Sequence, residues 1–135
     1  MQTIRKINDE IAIAGQITSD QLQQLTQDGF RSVLNLRSPD EPTFFPDEPE
    51  KAAYLDLQYC NFPVRSEALD DQTATGVLLK VAELPKPLLI HCHTATRAAA
   101  IALIYVATQQ GIALENALAQ VKQFGLIGIP NSTNA

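Results

Sequence analysis

The chain has 135 residues, 45% hydrophobic and 19% charged, with a formal charge of −5 and a pI near 4.8. A single domain of this length buries roughly two-thirds of its unfolded surface, and its acidic balance argues against nucleic acid, whose phosphates reward basic surfaces. Two cysteines, Cys60 and Cys92, are too few for a disulfide scaffold, so a reducing cytoplasm is the expected location.

The N-terminal MQTIRKINDE lacks the apolar core of a signal peptide. Residues 4–7 and 11–14 read as two short strands with a polar turn between them. Thr18 and Gln21 fit a capping box, with Ile17 and Leu22 placed for a hydrophobic staple, so a helix starts there. Its apolar stripe is Leu22 and Leu25, and Gly29 suits the left-handed position past its end. Residues 32–37, SVLNLR, are a third strand running into SPDEPTFFPDEPE, a loop with four prolines and five acids. So long a loop in a small domain is a functional suspect.

Asp47 and Glu50 can cap a short helix through Leu55. Residues 59–64 form a fourth strand, whose Pro63 suits a sheet edge. Asp70 or Asp71 caps a helix with the buried stripe Val77, Leu78, Val81 and Leu84, stopped by Pro85. Residues 87–91 are a fifth strand, apolar up to His91, which suggests a central place with both faces covered. Residues 97–110 form a helix too apolar for a surface role. The uncharged stretch 98–114 is broken by Thr108 to Gly111 and is too short for a bilayer, which takes about 20 apolar residues; no membrane association is expected. Leu114, Ala117, Leu118, Val121 and Phe124 mark a last amphipathic helix, and the tail after Gly125 is expected to be irregular. The alternation implies one α/β domain over residues 1–135: a central, mostly parallel sheet of about five strands flanked by helices.

The most informative stretch is LLIHCHTATRAAAIALIYVA, residues 88–107. A strand ends in His91-Cys92, a short loop follows, and Arg97 opens a helix. Ligands of α/β sheets bind beyond the carboxyl ends of the strands, where this loop, the acidic loop after Arg37 and the segment after Val64 all fall. A loop entering a helix can aim N–H groups inward, and the helix N-terminus adds partial positive charge. Arg97 can hold two oxygens of an anion, and Cys92 can attack as a thiolate. Cys92 alone would read as an inert core thiol; beside His91 and Arg97 it reads as functional. His91 and His93 flank it, but strand neighbours point to opposite faces, so no metal is expected. Cys60, inside a strand, reads as core.

The strand VLNLR, the strand ending in FPV and the IHC…R loop, in this order, resemble the cysteine-dependent protein tyrosine and dual-specificity phosphatases over residues 4–124. IAIAGQITSDQLQQLTQDGFRSVLNLR is similar to the bacterial beta-lactamase-hydrolase-like phosphatase domains, whose loop typically reads Cys-Arg-Ser/Thr-Gly-Thr-Arg. The resemblance implies a phosphatase acting through a phosphocysteine on a phosphorylated protein or small phosphomonoester, without metal or cofactor. By it, Cys92 matches the nucleophile, Arg97 the arginine that binds the phosphoryl oxygens, and His91 the histidine that helps fix the thiolate. His93, Thr94, Ala95 and Thr96 fill the phosphate cradle and contribute backbone N–H groups.

Several positions depart from that pattern. Four residues separate Cys92 from Arg97 where standard phosphatases have five, and a six-residue loop is also what rhodanese sulfurtransferases use. The usual loop glycine is Ala95, which makes a left-handed conformation costlier. The serine or threonine that commonly follows the arginine is Ala98; Thr94 and Thr96 are the available substitutes. The leaving-group acid is open among Glu67, Asp70 and Asp71 after the fourth strand and Asp40 and Glu41 in the other mouth loop. The expected function is a cysteine-dependent phosphatase; a sulfurtransferase carrying a Cys92 persulfide and a catalytically weak phosphate-binding module are the alternatives.

Overall fold

The structure, a computed structural model, describes residues 4–65 and 69–125. Ten elements follow in order: β1 Arg5–Lys6, β2 Ile11–Ala14, α1 Ser19–Gln27, β3 Ser32–Asn35, α2 Glu48–Tyr54, β4 Gln58–Asn61, α3 Asp71–Glu83, β5 Leu88–His91, α4 Thr96–Gln109 and α5 Leu114–Gln123. The strands form one sheet in the order β1-β2-β5-β3-β4. β2, β5, β3 and β4 are parallel, and β1 is an antiparallel edge. β5 is central as expected, and β4 is the other edge. The third and fourth strands are shorter than predicted, although Phe62 and Val64 still donate N–H bonds to Asn35 and Leu36 at 2.9 Å each.

Side-chain alternation divides the buried residues between two faces. Ile11, Ile13, Leu34, Leu88 and Ile90 pack with α3, α4 and α5. Ala12, Ala14, Val33 and Leu89 pack with α1 and with Ala52 of α2. α4 buries Ala98, Ala100, Ile101, Ala102, Ile104 and Tyr105. Its alanines let it lie close to the sheet, while each fully buried isoleucine contributes about 1.5–3 kcal/mol. Among the described residues no helix is long and apolar enough to cross a membrane.

Local signals set the ends of α1. Thr18 Oγ1 accepts the Gln21 N–H at 3.1 Å and Gln21 Oε1 accepts the Thr18 N–H at 3.0 Å, the reciprocal bonds of a capping box. Past the end, Gly29 takes φ 89°, and Phe30 donates its N–H back to Leu25 O at 2.9 Å, closing the helix in a Schellman arrangement. α2 differs from expectation. Asp47 stands at its N-cap position but makes no side-chain capping bond; its carboxylate instead meets Lys51 Nζ at 3.3 Å on the surface. The tail after Gly125 lies outside the described residues.

Candidate active site

Three parallel strands end side by side. In register, Ala14 of β2 and Asn35 of β3 flank His91 of β5. Just past those ends come Gln16, Arg37 and Cys92, so this topology gathers at the carboxyl end of the sheet residues far apart in sequence. Backbone bonds tie the segments together: Gln16 N–H to His93 O at 3.0 Å, Leu36 N–H to His91 O at 2.9 Å, and Cys92 N–H to Ala14 O at 3.3 Å.

From Cys92 the loop turns back on itself. Ala98, six residues on, donates its N–H to Cys92 Sγ at 3.4 Å. The N–H groups from His93 to Arg97 reach no backbone acceptor among the described residues, as expected of donors at a helix N-terminus. Ala95, the N-cap of α4, makes the turn with φ 75° and ψ −12°, in the left-handed region. A non-glycine residue there costs roughly 1–2 kcal/mol, so the cost foreseen for alanine is present. Cys92 is fully buried. Its sulfur packs against the core on one side and meets the Ala98 N–H on the other, so it is not enclosed by hydrocarbon alone. His93, Thr94 and Thr96 are exposed and Ala95 is partly so.

Arg97 is gripped by its outer edge. Nη1 donates to Glu41 Oε2 at 2.7 Å and Nη2 to Glu41 Oε1 at 3.0 Å; Nη1 also reaches Val64 O at 3.1 Å and Leu36 O at 3.4 Å. A guanidinium has five N–H donors. Those left over, Nε–H and the second Nη2 hydrogen, share the other edge and take no oxygen acceptor among the described residues. The pKa of Arg97 is raised, first by the Glu41 hydrogen bond against the cost of burial, with the Cys92 sulfur close enough to contribute. Glu41 in turn is lowered to about 2, mainly by Arg97, with help from the Ser38 N–H and Arg37 against its own desolvation.

Arg37, itself almost wholly buried, organises the acidic loop. Its guanidinium donates to Gln16 Oε1 at 2.6 Å, Glu41 Oε1 at 3.2 Å, Thr43 O at 3.2 Å and Pro42 O. The loop therefore wraps around a buried cation, and its acids are not simply a solvated run. On the far side, His91 Nε2 meets Glu48 Oε2 at 2.6 Å, with both side chains buried, and Gln16 Nε2 donates to Glu48 Oε1 at 2.8 Å. Burial pushes the Glu48 carboxyl up, yet the bond and charge of His91, with bonds from Gln16 and Tyr59, outweigh it and leave the pKa lowered. Burial, then the Glu48 charge, raises Tyr59 well above its ordinary value.

The predicted residues thus divide. Cys92, Arg97 and His91 converge with the 93–96 loop. Asp70 is the N-cap of α3: its Oδ1 accepts the Thr73 N–H at 2.7 Å, and that bond lowers its pKa. This favours the ionised form, the opposite of what a proton donor needs. Asp71 is the first residue of the same helix, Asp40 accepts from Ser38 Oγ at 2.5 Å, and Glu67 lies outside the described residues. Cys60 sits on edge strand β4, two strands from β5, with its thiol pKa pushed up by burial. Sequence reasoning missed Gln16, Arg37 and Glu48. Only the polar residues closing two apolar strands, Arg37 after SVLNL and Gln16 after IAIAG, could have signalled the first two; nothing local marks Glu48.

Residues 3–111 match the family model described as beta-lactamase hydrolase-like protein, phosphatase-like domain. A beta-lactamase hydrolase-like protein of Xylella fastidiosa is 32% identical over 96 residues, which is 68% of this chain and 22% of that protein. The chain therefore spans under a quarter of that relative's length. Among solved structures, a candidate phosphatase from Shewanella putrefaciens superposes with a TM-score of 0.77 at 20% identity, over 93% of each chain. TpbA of P. aeruginosa, in complex with pTyr, gives 0.66 at 15% identity, over 93% of this chain and 75% of that one. The fold is that of the protein tyrosine phosphatase-like proteins.

Proposed function

Because the chain belongs to the phosphatase-like domain family of beta-lactamase hydrolase-like proteins, we propose that it hydrolyses phosphate monoesters through a phosphocysteine on Cys92. One observation carries this reading: Arg97 is anchored by Glu41 at its outer edge, which leaves its other two donors together on the second edge of a guanidinium close enough to the Cys92 sulfur to be influenced by it. A phosphoryl group has oxygens spaced for that edge, and the N–H groups from His93 to Arg97 would hold the rest at the positive end of α4.

In the first step the Cys92 thiolate attacks phosphorus, a P–S bond forms, and the P–O ester bond breaks. The charge gathering on the equatorial oxygens is met by Arg97 and the loop amides. The leaving oxygen takes a proton. Water then attacks phosphorus and returns a proton to the group that protonated the leaving oxygen, the P–S bond breaks, and inorganic phosphate and the free thiolate result. Arg97 holds the Glu41 carboxyl at about 2, which disfavours it as the proton donor, and Asp70 is committed to its cap. Asp40, Glu67 and Asp71 are the remaining acids. The substrates favoured are those whose leaving oxygen needs least help, aryl phosphates such as phosphotyrosine before alkyl phosphates.

Hydrolysis of p-nitrophenyl phosphate tests the reading. Wild type should turn over, Cys92→Ser should not, and Arg97→Ala should lose about 10²–10³-fold in kcat, as when one preorganised oxyanion donor is removed. Sulfur transfer from thiosulfate to cyanide, with no phosphate release, would replace this mechanism with a persulfide one.

A further inference from the structure

The two flanks of the loop are joined by one chain of side-chain hydrogen bonds. It runs from His91 through Glu48, Gln16, Arg37 and Glu41 to Arg97, each link between 2.6 and 3.2 Å. Chemistry fixes the direction of every link. Arg37 can only donate, so it takes Gln16 Oε1; that turns Gln16 Nε2 towards Glu48, which as a carboxylate can only accept. As a carboxylate Glu48 can take His91 only as a donor, so Nε2–H points at Glu48 Oε2. This leaves Nδ1 on the side of the Cys92 carbonyl, 3.4 Å away. Among the common side chains of its length, Gln16 has both an acceptor for Arg37 and a donor for Glu48. A glutamate there would face a second carboxylate, and a methionine could make neither bond.

Resting on the phosphatase reading of Cys92 and Arg97, we propose that Gln16 and Glu48 are positioning residues of this site, locking the His91 ring and the Arg37–Glu41–Arg97 frame into one unit. Neither needs to touch substrate. Glu48 acts through His91, the residue before the nucleophile, and Gln16 couples that side to the arginine side while its N–H holds the loop at His93 O, 3.0 Å away. Outer partners of metal-ligating histidines affect activity by about 10- to 100-fold, and the same order is expected for the partners of His91.

The test uses Gln16→Met, Glu48→Gln and the double variant in the full chain, with two readouts. In the first, p-nitrophenyl phosphate kinetics should show kcat reduced about 10- to 100-fold in each single variant, with KM little changed. The double variant should lose about as much as the worse single one, because both break the same unit. In the second, ring 15N and 1H signals of His91 should show a carboxylate-bound Nε2–H in wild type that is lost in Glu48→Gln. Unchanged kcat in a folded Gln16→Met, or losses that simply multiply in the double variant, overturns the proposal. Gln16 is only partly buried, so this variant keeps the test open if Glu48→Gln does not fold. A wild type inert towards phosphomonoesters counts against the phosphatase reading alone; the His91 signal then decides the positioning claim.

Discussion

Replacing Glu41 with glutamine isolates the ion pair that aims Arg97. An amide has one acceptor and one donor end, so it cannot receive both Arg97 bonds, and its NH2 would oppose a guanidinium N–H. The carboxyl lies at about 2 against an ordinary 4.5, which at 1.36 kcal/mol per pH unit sets an upper limit of about 3 kcal/mol. The side chain is 23% exposed, and solvent screening brings the expected loss at pH 7 to about 1–2 kcal/mol. The sign follows from the lowered folded-state value: the stabilisation is present above pH 4.5 and fades as pH falls towards 2. Urea denaturation of wild type and Glu41→Gln between pH 7 and pH 3 should therefore show a gap of about 1–2 kcal/mol at neutrality that narrows below about pH 5. Asp70, a lowered carboxylate outside this network, is common to both proteins and cancels in the difference. Turnover should fall alongside, because an unanchored Arg97 no longer presents its second edge. A gap that stays constant with pH, or no gap at neutrality, refutes this account of Glu41.

Ala95→Gly should stabilise the protein: relief of roughly 1–2 kcal/mol of left-handed strain exceeds the roughly 0.4–1 kcal/mol lost to a more flexible unfolded chain, and a lower urea midpoint would contradict the φ of 75°. Asp70→Asn should keep both the α3 cap and full turnover, since asparagine caps as well as aspartate, whereas Asp70→Ala should lower the melting temperature alone; a kcat drop in Asp70→Asn would restore Asp70 as the leaving-group acid. Cys60→Ser should leave p-nitrophenyl phosphate turnover unchanged and remove no fast-alkylating thiol at pH 7, because burial holds the Cys60 thiol protonated; loss of the fast-labelling site would reverse that assignment.

The sequence by itself determined what depends on near neighbours. The Thr18–Gln21 capping box, the Gly29 terminus, the central apolar strand at β5 and the run from Cys92 to Arg97 all rest on spacings of a few residues. At that range, backbone geometry and hydrophobic periodicity leave few alternatives. The cost of Ala95 follows from the family resemblance, whose loop usually carries glycine at that position.

Only the tertiary structure decided which polar groups brace His91 and Arg97. Glu48 meets His91 across 43 residues and Glu41 meets Arg97 across 56, while Gln16 and Arg37 join across 21. In the sequence, Glu41 and Glu48 are two acids among five in a proline-rich loop; Glu41 stands out only as one of several candidate acids, and nothing marks either as an anchor. Their fate follows from the strand order, which sets the ends of β2, β5 and β3 side by side and buries Arg37 beneath the loop. A buried charge must find its complement, and that requirement acts through space, where no local pattern of residue types records it.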